Sequence, residues 1–374
     1  MTMGIHIVKR DSCPLWEKCC FYLGAVVIAL LLGAALLTAL GVDPVAYYTR
    51  MFTMGTIGNK IAYKVWINYL KDLVPLVLTS VALSLAFKMR FWNIGGEGQF
   101  ILGAISAAFV AFKAGPVLPN AVTLILMCLA AMIVAGLYGL FVAALKVKFG
   151  TNETLMTLML NYVALYVLIY IGETKEAWNF FLDPESQRPV FASFSKIVSF
   201  PVIPMGGKFT LNLCVVLTLL IGILVFVYLR YTKHGYEIAV VGDSAGSARY
   251  AGMKVNTIVL RTVFLSAALI GLAAAFKVGT AGILSTAITD DVGWTGIIVA
   301  WLSQLNTAVI FVVSALICVL HYGSTVAAAT FSQVDSSFAN MLQGVILFLV
   351  LAADFCTRFR VVIVKKGGKA NGNG

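Results

Sequence analysis

Apolar runs separated by short polar stretches dominate the pattern along this chain. Runs of roughly 18 residues or more with few charges mark helices that cross a bilayer, because about 20 residues of helix cover a ~30 Å hydrocarbon core. The pattern predicts full spans at residues 21–40, 121–145, 155–171, 210–229, 258–276 and 338–353. Shorter apolar pieces at residues 73–87, 99–112, 292–305 and 307–320 bring the predicted number of crossings to about ten.

Composition makes this interpretation firm. Of 374 residues, 60% are hydrophobic and 11% are charged, and the mean hydropathy is +0.95. A water-soluble globule cannot bury that much apolar surface, so we predict an all-α, polytopic membrane helix bundle whose main solvent is the lipid bilayer. We expect a cytoplasmic N-terminal segment at residues 1–20, a transmembrane domain at residues 21–356 and a basic cytoplasmic tail at residues 357–374.

The positive charge is a signal of topology. The formal net charge is +11, and short cytoplasmic loops of membrane proteins collect Lys and Arg. With both termini in the cytoplasm, more than half of all Lys and Arg residues, including those of the basic tail, lie on that side. We therefore expect no nucleic-acid partner, and no cleaved signal peptide, because the first apolar run is long enough to span the bilayer.

The stretch "RFWNIGGEGQF", residues 90–100, interrupts the apolar pattern. The preceding run, residues 73–87, covers only about 22 Å as a helix. Glycines permit a break there, and non-helical backbone at membrane depth is tolerated only where protein or a water-filled cavity satisfies it. Glu97 costs roughly 2.5 kcal/mol or more in lipid, so it should face the interior or a pathway. We predict that Asn93, Glu97 and Gln99 line a path for a solute.

A second break falls at residues 279–306, where glycines and two aspartates precede another short helix. Paired interrupted segments are the best sequence indication of a transport site. "LAFKMRFWNIGG" from Leu85 and "AAFKVGTAGI" from Ala274 share Phe-Lys before a glycine-bearing break. The predicted topology runs the first helix inward and the second outward, which is the relation an inverted repeat requires. We expect Lys277, Asp290 and Asp291 at the outer face.

Aromatic residues beside the two breaks are candidates for the walls of the path. Phe91, Trp92 and Trp301 offer flat faces to a ring-bearing solute. The alternatives are that Trp92 belongs to an interfacial aromatic belt and that Glu97 caps the N–H groups of the next helix.

Polar residues in and before the span at residues 155–171 have a structural interpretation. Asn161 is predicted to hold a neighbouring helix, by roughly 0.6 to 2 kcal/mol. Thr151, Asn152 and Glu153 are predicted to cap this span at its cytoplasmic end.

The internal loop "RYTKHGYEIAVVGDSAGSARYAGMKVN", residues 230–256, predicts a short helix. Asp243 or Ser244 can cap its start, and Gly252 can end it as the residue after the C-cap. A solvated surface helix is the simplest interpretation. However, Ala248 followed four residues later by Gly252 is similar to the EAA loop of bacterial ABC importer permeases, although Gly246 and Ser247 stand where that loop has Glu and its first Ala.

Three segments together resemble one family. "FWNIGGEGQFILGA" from Phe91, "FGTNETLMTLMLNY" from Phe149 and "VVGDSAGSARYAGMKV" from Val240 are similar to the nucleoside and simple-sugar branch of ABC importer permeases, which is related to ribose-type and branched-chain amino acid permeases. The resemblance covers roughly residues 70–355. It departs at "GWTGIIVAWLSQLN" from Gly293, which lacks the aspartate and the following proline of the family segment.

The resemblance implies a permease subunit of the bacterial cytoplasmic membrane. It implies that residues 230–256 couple the chain to an ATPase, with the role carried by Gly242, Asp243, Ala248, Arg249 and Gly252. No GxxxxGK[ST] phosphate loop occurs in the chain, so ATP and Mg are expected on separate ABC ATP-binding subunits, with no cofactor and no enzymatic activity on this chain. The other implied partners are a second permease subunit, homologous or identical, and an extracytoplasmic substrate-binding protein or lipoprotein.

Three functions remain to be compared. The resemblance implies ATP-driven import of nucleosides or of related purines or simple sugars. A branched-chain amino acid ABC permease is the related alternative. An ion-coupled secondary transporter using Glu97 is the alternative from another class, and it needs no docking loop. The three histidines offer no catalytic or metal-ligand spacing.

Overall fold

The computed structural model describes residues 3–9, 14–194, 198–331, 333–334 and 336–365. In chain order the elements are β1 (Met3–Lys9), α1 (Leu15–Ala39), α2 (Pro44–Phe52), α3 (Ala62–Lys88), α4 (Gly96–Ala114), α5 (Asn120–Phe149), α6 (Glu153–Glu173), β2 (Val202–Gly206), β3 (Phe209–Asn212), α7 (Leu213–Tyr231), α8 (Lys233–Asp243), α9 (Ala245–Tyr250), α10 (Val255–Ala281), α11 (Val292–Leu302), α12 (Thr307–Ala328), α13 (Ser336–Arg358) and β4 (Phe359–Lys365). The polytopic helix bundle predicted from the sequence is confirmed. Residues 1–2, 10–13 and 366–374 of the predicted terminal segments lie outside the described residues.

Within the described ranges, nine helices are long and apolar enough to cross a bilayer: α1, α3, α4, α5, α6, α7, α10, α12 and α13. The predicted lengths of three of the four shorter pieces are wrong here: residues 99–112 lie in α4, which has 19 residues, and residues 307–320 lie in α12, which has 22. Residues 73–87 are not an isolated short piece but part of α3, which has 27 residues. The helix continues through the charged pair Lys71 and Asp72, and Lys277 of α10 neutralises Asp72 at 2.7 Å.

The tenth predicted crossing corresponds to α11. This helix has 11 residues, about 16 Å, so it is too short to cross a bilayer alone. The segment that contains it runs from Gly282, where α10 ends, to Ser303. The segment predicted as the tenth crossing is therefore a short helix preceded by non-helical backbone, and α11 is not among the nine helices of the described chain that are long enough to span.

The structure groups the chain into two compact units, residues 1–55 with 320–374, and residues 56–319. In the first unit α1 packs along α13, and the Tyr22 hydroxyl donates to Asp354 at 2.8 Å. β1 pairs antiparallel with β4, from Met3 opposite Lys365 to Lys9 opposite Phe359. Because this sheet joins the two ends of the described chain, they lie on the same side of any bilayer that the chain spans, and the number of crossings is even.

The second unit is built on α3 and α10, which are buried along most of their length. They are antiparallel, because Asp72 near the start of α3 meets Lys277 near the end of α10, and Ser266 donates to the Ala82 carbonyl at 2.7 Å farther along. The Phe-Lys pairs that the two similar sequence segments share are near the ends of α3 and α10, so they lie towards opposite ends of the unit. This opposed direction is the one that the expected inverted repeat requires.

Candidate functional site

The backbone between α3 and α4 is held by side-chain amides. Asn93 and Gln99, both almost fully buried, exchange two hydrogen bonds: the Asn93 Nδ2 donates to Gln99 Oε1 at 3.1 Å, and the Gln99 Nε2 donates to Asn93 Oδ1 at 3.0 Å. The Gly95 N–H also donates to Asn93 Oδ1 at 3.2 Å. These two residues, predicted to line a path, therefore satisfy the interrupted backbone and each other.

Helix α6 supports the same interruption. Asn161 Nδ2 donates to the Ile94 carbonyl at 2.9 Å, and Asn161 Oδ1 accepts from the Gly98 N–H at 2.8 Å. The Thr157 hydroxyl accepts from the Ile94 N–H at 3.2 Å. The sequence predicts that Asn161 holds a neighbouring helix, and the structure shows that it bonds the non-helical backbone and the first turn of α4.

Glu97 joins the two interrupted segments. Its side chain is 8% exposed, and Oε2 accepts from the Gly293 N–H in the first turn of α11 at 2.9 Å. A carboxylate at a helix N-terminus satisfies free N–H groups and interacts favourably with the helix dipole. A Cβ at Gly293 would collide with the Glu97 backbone nitrogen and carboxylate. Glu97 therefore caps a helix from the other half of the unit, whereas sequence reasoning considered only the helix that follows it.

A cavity of about 550 Å³ opens beside Glu97. Its lining combines carboxylates, hydroxyls, an amide and two aromatic rings. The lining residues are Glu97, Ile101, Asn161, Tyr162, Leu165, Thr286, Ala287, Thr289, Asp290, Asp291 and Trp294. Cavities with a few convergent polar groups and aromatic walls are the usual form of small-molecule sites.

Sequence reasoning missed part of this lining. Trp294 and Tyr162 supply its aromatic faces, and neither was selected. Asp290 and Asp291, expected at the outer face, line the cavity with φ values of 49° and 55°. The sequence signal that could have indicated this lining is "TDDVGW", residues 289–294, where two aspartates form a turn directly before a short helix that carries Trp294.

The predicted aromatic residues lie elsewhere. Trp92 and Trp301 stack on one another with ring centroids 5.1 Å apart, and Phe87 lies within 6.2 Å of Trp92. Neither tryptophan is among the lining residues of the cavity. Phe91 is buried in an apolar cluster with Val142 and belongs to the packing of the unit.

The short helix predicted within residues 230–256 is present as α9. Ser244 is its N-cap and accepts from the Ser247 N–H at 3.2 Å. Gly252 has φ +75°, its N–H donates to the Arg249 carbonyl, and the Met253 N–H donates to the Ala248 carbonyl, both at 3.0 Å. This pair of bonds is a Schellman motif, so the predicted role of Gly252 as the residue after the C-cap is confirmed.

One face of α9 is anchored and the other is free. Ala248 is fully buried among apolar residues of α8 and α10, whereas Arg249 and Tyr250 are exposed, Tyr250 at 97%. Asp243 ends α8 and is exposed. Gly242 lies so close to the end of α3 that a Cβ would collide with the Lys88 carbonyl. The five residues implied in coupling are thus gathered next to the start of the first interruption.

The cap predicted for α6 is also present. Asn152 Oδ1 accepts from the Thr154 N–H at 3.0 Å and the Leu155 N–H at 3.2 Å. Glu153 in the first turn forms an ion pair with Lys146 at the end of α5. In the part of the chain that the structure describes, no group of three or more His, Cys, Asp or Glu side chains has a metal-binding arrangement.

Comparisons with known proteins agree with this architecture. A family model described as "Branched-chain amino acid transport system / permease component" matches residues 65–351. A glucose ABC transporter permease protein of Haloferax volcanii is 28% identical over 374 residues, which cover 97% of this chain and 95% of that protein. A guanosine ABC transporter permease protein of Bacillus subtilis is 28% identical over 352 residues, with 92% of this chain and 96% of that protein covered. A nucleoside ABC transporter permease protein of Lactococcus lactis subsp. cremoris is 24% identical, with coverages of 87% and 88%.

No solved structure matches the chain. The family match nevertheless covers most of the second unit, including both interruptions, the cavity and α9. Because the model matches well over half of the chain, the protein belongs to the branched-chain amino acid transport system permease family, whose members are membrane transport components.

Proposed function

We propose that this chain is the permease subunit of an ATP-driven ABC importer that carries nucleosides or related purines or simple sugars across the bacterial cytoplasmic membrane. The observation that carries the proposal is the cavity of about 550 Å³ bordered by Glu97 where the two interrupted segments meet. The named solutes of the similar permeases, glucose, guanosine and nucleosides, are all neutral and rich in hydroxyl groups.

The chemistry of the lining suits such a solute. Carboxylates accept hydrogen bonds from sugar hydroxyls and ring N–H groups, and Thr286 and Thr289 offer hydroxyls that both donate and accept. Trp294 and Tyr162 offer ring faces on which a base can stack. The lining holds no Lys or Arg, so a phosphorylated solute would face Glu97, Asp290 and Asp291 without a compensating cation. We therefore expect selection against nucleotides and sugar phosphates.

The related alternative is a branched-chain amino acid permease, and the description of the matching family favours it. The residues that line the cavity argue against it. A zwitterion needs a cationic or N–H partner for its carboxylate. The Glu97 carboxylate already occupies the Gly293 N–H at the start of α11. A neutral solute is therefore the better fit.

Helix α9 is the proposed docking element for the ATP-binding subunit, which supplies ATP and Mg. Its exposed face, with Arg249 and Tyr250, fits a groove of a partner, and its buried Ala248 ties it to the unit. The α9 end and both termini would then lie in the cytoplasm. An extracytoplasmic binding protein or lipoprotein would deliver the solute at the opposite end.

We propose that a second permease subunit packs against the exposed face of α6. Tyr162, Tyr166 and Tyr170 lie four residues apart on one face of α6, and each side chain is more than half exposed. Tyr162 is near the middle of this 21-residue helix, whereas tyrosines that face lipid concentrate at the membrane interfaces. Tyr162 also borders the cavity. A homologous or identical subunit packed here would keep the carboxylates of the cavity away from lipid.

Uptake of labelled solutes tests the proposal. Cells or proteoliposomes holding this chain with its ATP-binding subunits should take up guanosine, and unlabelled nucleosides should compete better than nucleotides or leucine. Uptake should stop when ATP is depleted and continue when the proton gradient is collapsed. The opposite dependence would select the ion-coupled secondary transporter, and competition by leucine alone would select the amino acid permease.

Docking through α9 has its own test. Arg249→Glu and Gly252→Trp should leave ATP hydrolysis in place and reduce uptake, because the first reverses the exposed charge and the second places a side chain where φ is +75°. Lys254→Ala, a change just beyond the helix, is the control. Unchanged uptake in both α9 variants would remove the docking assignment.

A further inference from the structure

Three side chains bridge α8 and α10 close to the docking helix. Arg261, in the second turn of α10, donates through Nη2 to Glu237 Oε2 at 3.0 Å and through Nη1 to His234 Nδ1 at 2.6 Å. His234 Nδ1 and Glu237 Oε2 are 3.3 Å apart on one face of α8. The guanidinium carries only donors, so His234 Nδ1 is the acceptor in its contact with Arg261.

The cluster is more than a solvated surface contact. The Glu237 side chain is 14% exposed and Arg261 is 32% exposed, and Arg261 Nε is buried without a partner. The hydrogen bond from Arg261 holds the pKa of Glu237 below its usual range. The carboxylate is therefore ionised at neutral pH, and the pairing is lost only as the pH falls through that lowered pKa.

The cluster lies between α9 and the cavity, along a route that runs through α8 and α10. Ser244 is both the C-cap of α8 and the N-cap of α9, so no linker separates these helices. Beyond Arg261, α10 continues for about 30 Å to Gly282, from which the chain enters the lining at Thr286. Near the middle of α10, a Cβ at Gly271 would collide with the Ala131 carbonyl of α5, so α10 is tightly packed along the way.

We infer that Glu237 and Arg261 are positioning residues that transmit a displacement of α9 to α10 and so to the cavity. Besides the apolar packing of Ala248, two connections join α9 to α10: the backbone at residues 251–254 and this ion pair through α8. The backbone link ends in the left-handed Gly252 and allows a hinge. The ion pair keeps α8 and α10 in one register, so the docking helix cannot tilt without moving α10. This inference rests on the proposed function, since it requires a motor that displaces α9.

The decisive measurement is the ratio of solute taken up to ATP hydrolysed by the purified complex in proteoliposomes. Glu237→Gln removes the charge and keeps the shape, and Glu237→Asp keeps the charge and shortens the reach. We expect the ratio to fall at least about fivefold in Glu237→Gln, the lower end of coupling between sites, and less in Glu237→Asp. The exchange Glu237→Arg with Arg261→Glu should restore part of the ratio.

Glu153→Gln is the matched control. Glu153 is 13% exposed and pairs with Lys146 between α5 and α6, so the same substitution removes a similar ion pair that does not join α8 to α10. A general loss of stability would lower assembly or ATP hydrolysis in both variants and leave the ratio per assembled complex unchanged. An unchanged ratio in both Glu237→Gln and Glu237→Asp would overturn the inference. A wild-type complex without ATP-dependent uptake would instead refute the proposed function.

Discussion

The two interruptions in the second unit have similar composition and different packing. Residues 89–95, between α3 and α4, carry one glycine, Gly95, and one amide, Asn93, and protein groups satisfy them: Asn93 bonds Gln99, and Asn161 bonds the backbone on both sides of Gly95. Residues 282–291, between α10 and α11, carry a glycine and two aspartates, and they border an open cavity. The polar groups of the first, closed break are hydrogen-bonded within the protein, whereas the second, open break borders a cavity that has room for a solute.

The difference shows how an interrupted membrane helix acquires a function. A break whose polar groups all find partners fixes geometry, and a break whose polar groups border empty space can bind. Glu97 links the two breaks, because it lies in the first turn of α4, just after the first break, and accepts from the N–H of Gly293 in the first turn of α11, just after the second. We expect substitutions in the closed break to act through stability and those in the open break to act through transport.

The largest effect is expected from Gly293→Val. A Cβ there collides with the Glu97 backbone nitrogen and carboxylate, so α4 and α11 must separate. We expect uptake to fall about 100-fold, the scale that a displacement of ~1 Å produces at a site. Gly24→Val is the control, because a Cβ at Gly24 meets nothing within 4 Å. Normal uptake by Gly293→Val would show that the contact between the breaks is dispensable.

Glu97→Gln is the next test. The amide oxygen can still accept from the Gly293 N–H, so the cap on α11 survives while the charge is lost. We expect normal assembly and about tenfold lower uptake, because hydrogen bonds to a charged group are worth about 1.5–3 kcal/mol. Glu185→Gln, an exposed carboxylate outside the cavity, should transport normally. Wild-type uptake by Glu97→Gln would limit Glu97 to a structural role.

Asn161→Ala addresses the closed break. It leaves the Ile94 carbonyl and the Gly98 N–H without their partner, which should destabilise the protein by about 1–3 kcal/mol. A lower melting temperature in detergent, with uptake per folded complex reduced less than in Glu97→Gln, is the expected result. Asn68→Ala, at an exposed position of α3, should melt as the wild type does. A larger loss of uptake than of stability would show that Asn161, which also borders the cavity, contacts the solute.

The smallest effect is expected from Trp92→Ala. Trp92 stacks on Trp301 outside the cavity, so the substitution should cost about 0.5–1.5 kcal/mol of stability. The KM for uptake should change little. Trp294→Ala is the contrast, because its ring borders the cavity and its loss should raise KM about tenfold if a base stacks on it. A larger increase in KM from Trp92→Ala than from Trp294→Ala would show that Trp92, as the sequence indicated, forms the aromatic wall of the solute path.

Local signals in the sequence predicted local structure well. Asn152 as a helix cap and Gly252 as the residue after the C-cap of α9 are both confirmed, because these features depend on a few neighbouring residues. The error over residues 73–87 has the opposite cause. The charged pair Lys71 and Asp72 precedes this apolar run in the sequence, and only the fold brings Lys277 to neutralise Asp72 inside the helix.

Sequence alone determined that this protein is a polytopic helix bundle with two interrupted segments and a short helix within residues 230–256. Hydropathy and glycine placement encode those features directly. Only the tertiary structure decided that Asn93 and Gln99 bond each other, that Glu97 caps a helix almost 200 positions away, and that Trp294 and Tyr162 face the cavity. The physical reason is that the partner of a buried polar group is chosen by packing between distant helices, which no local pattern records.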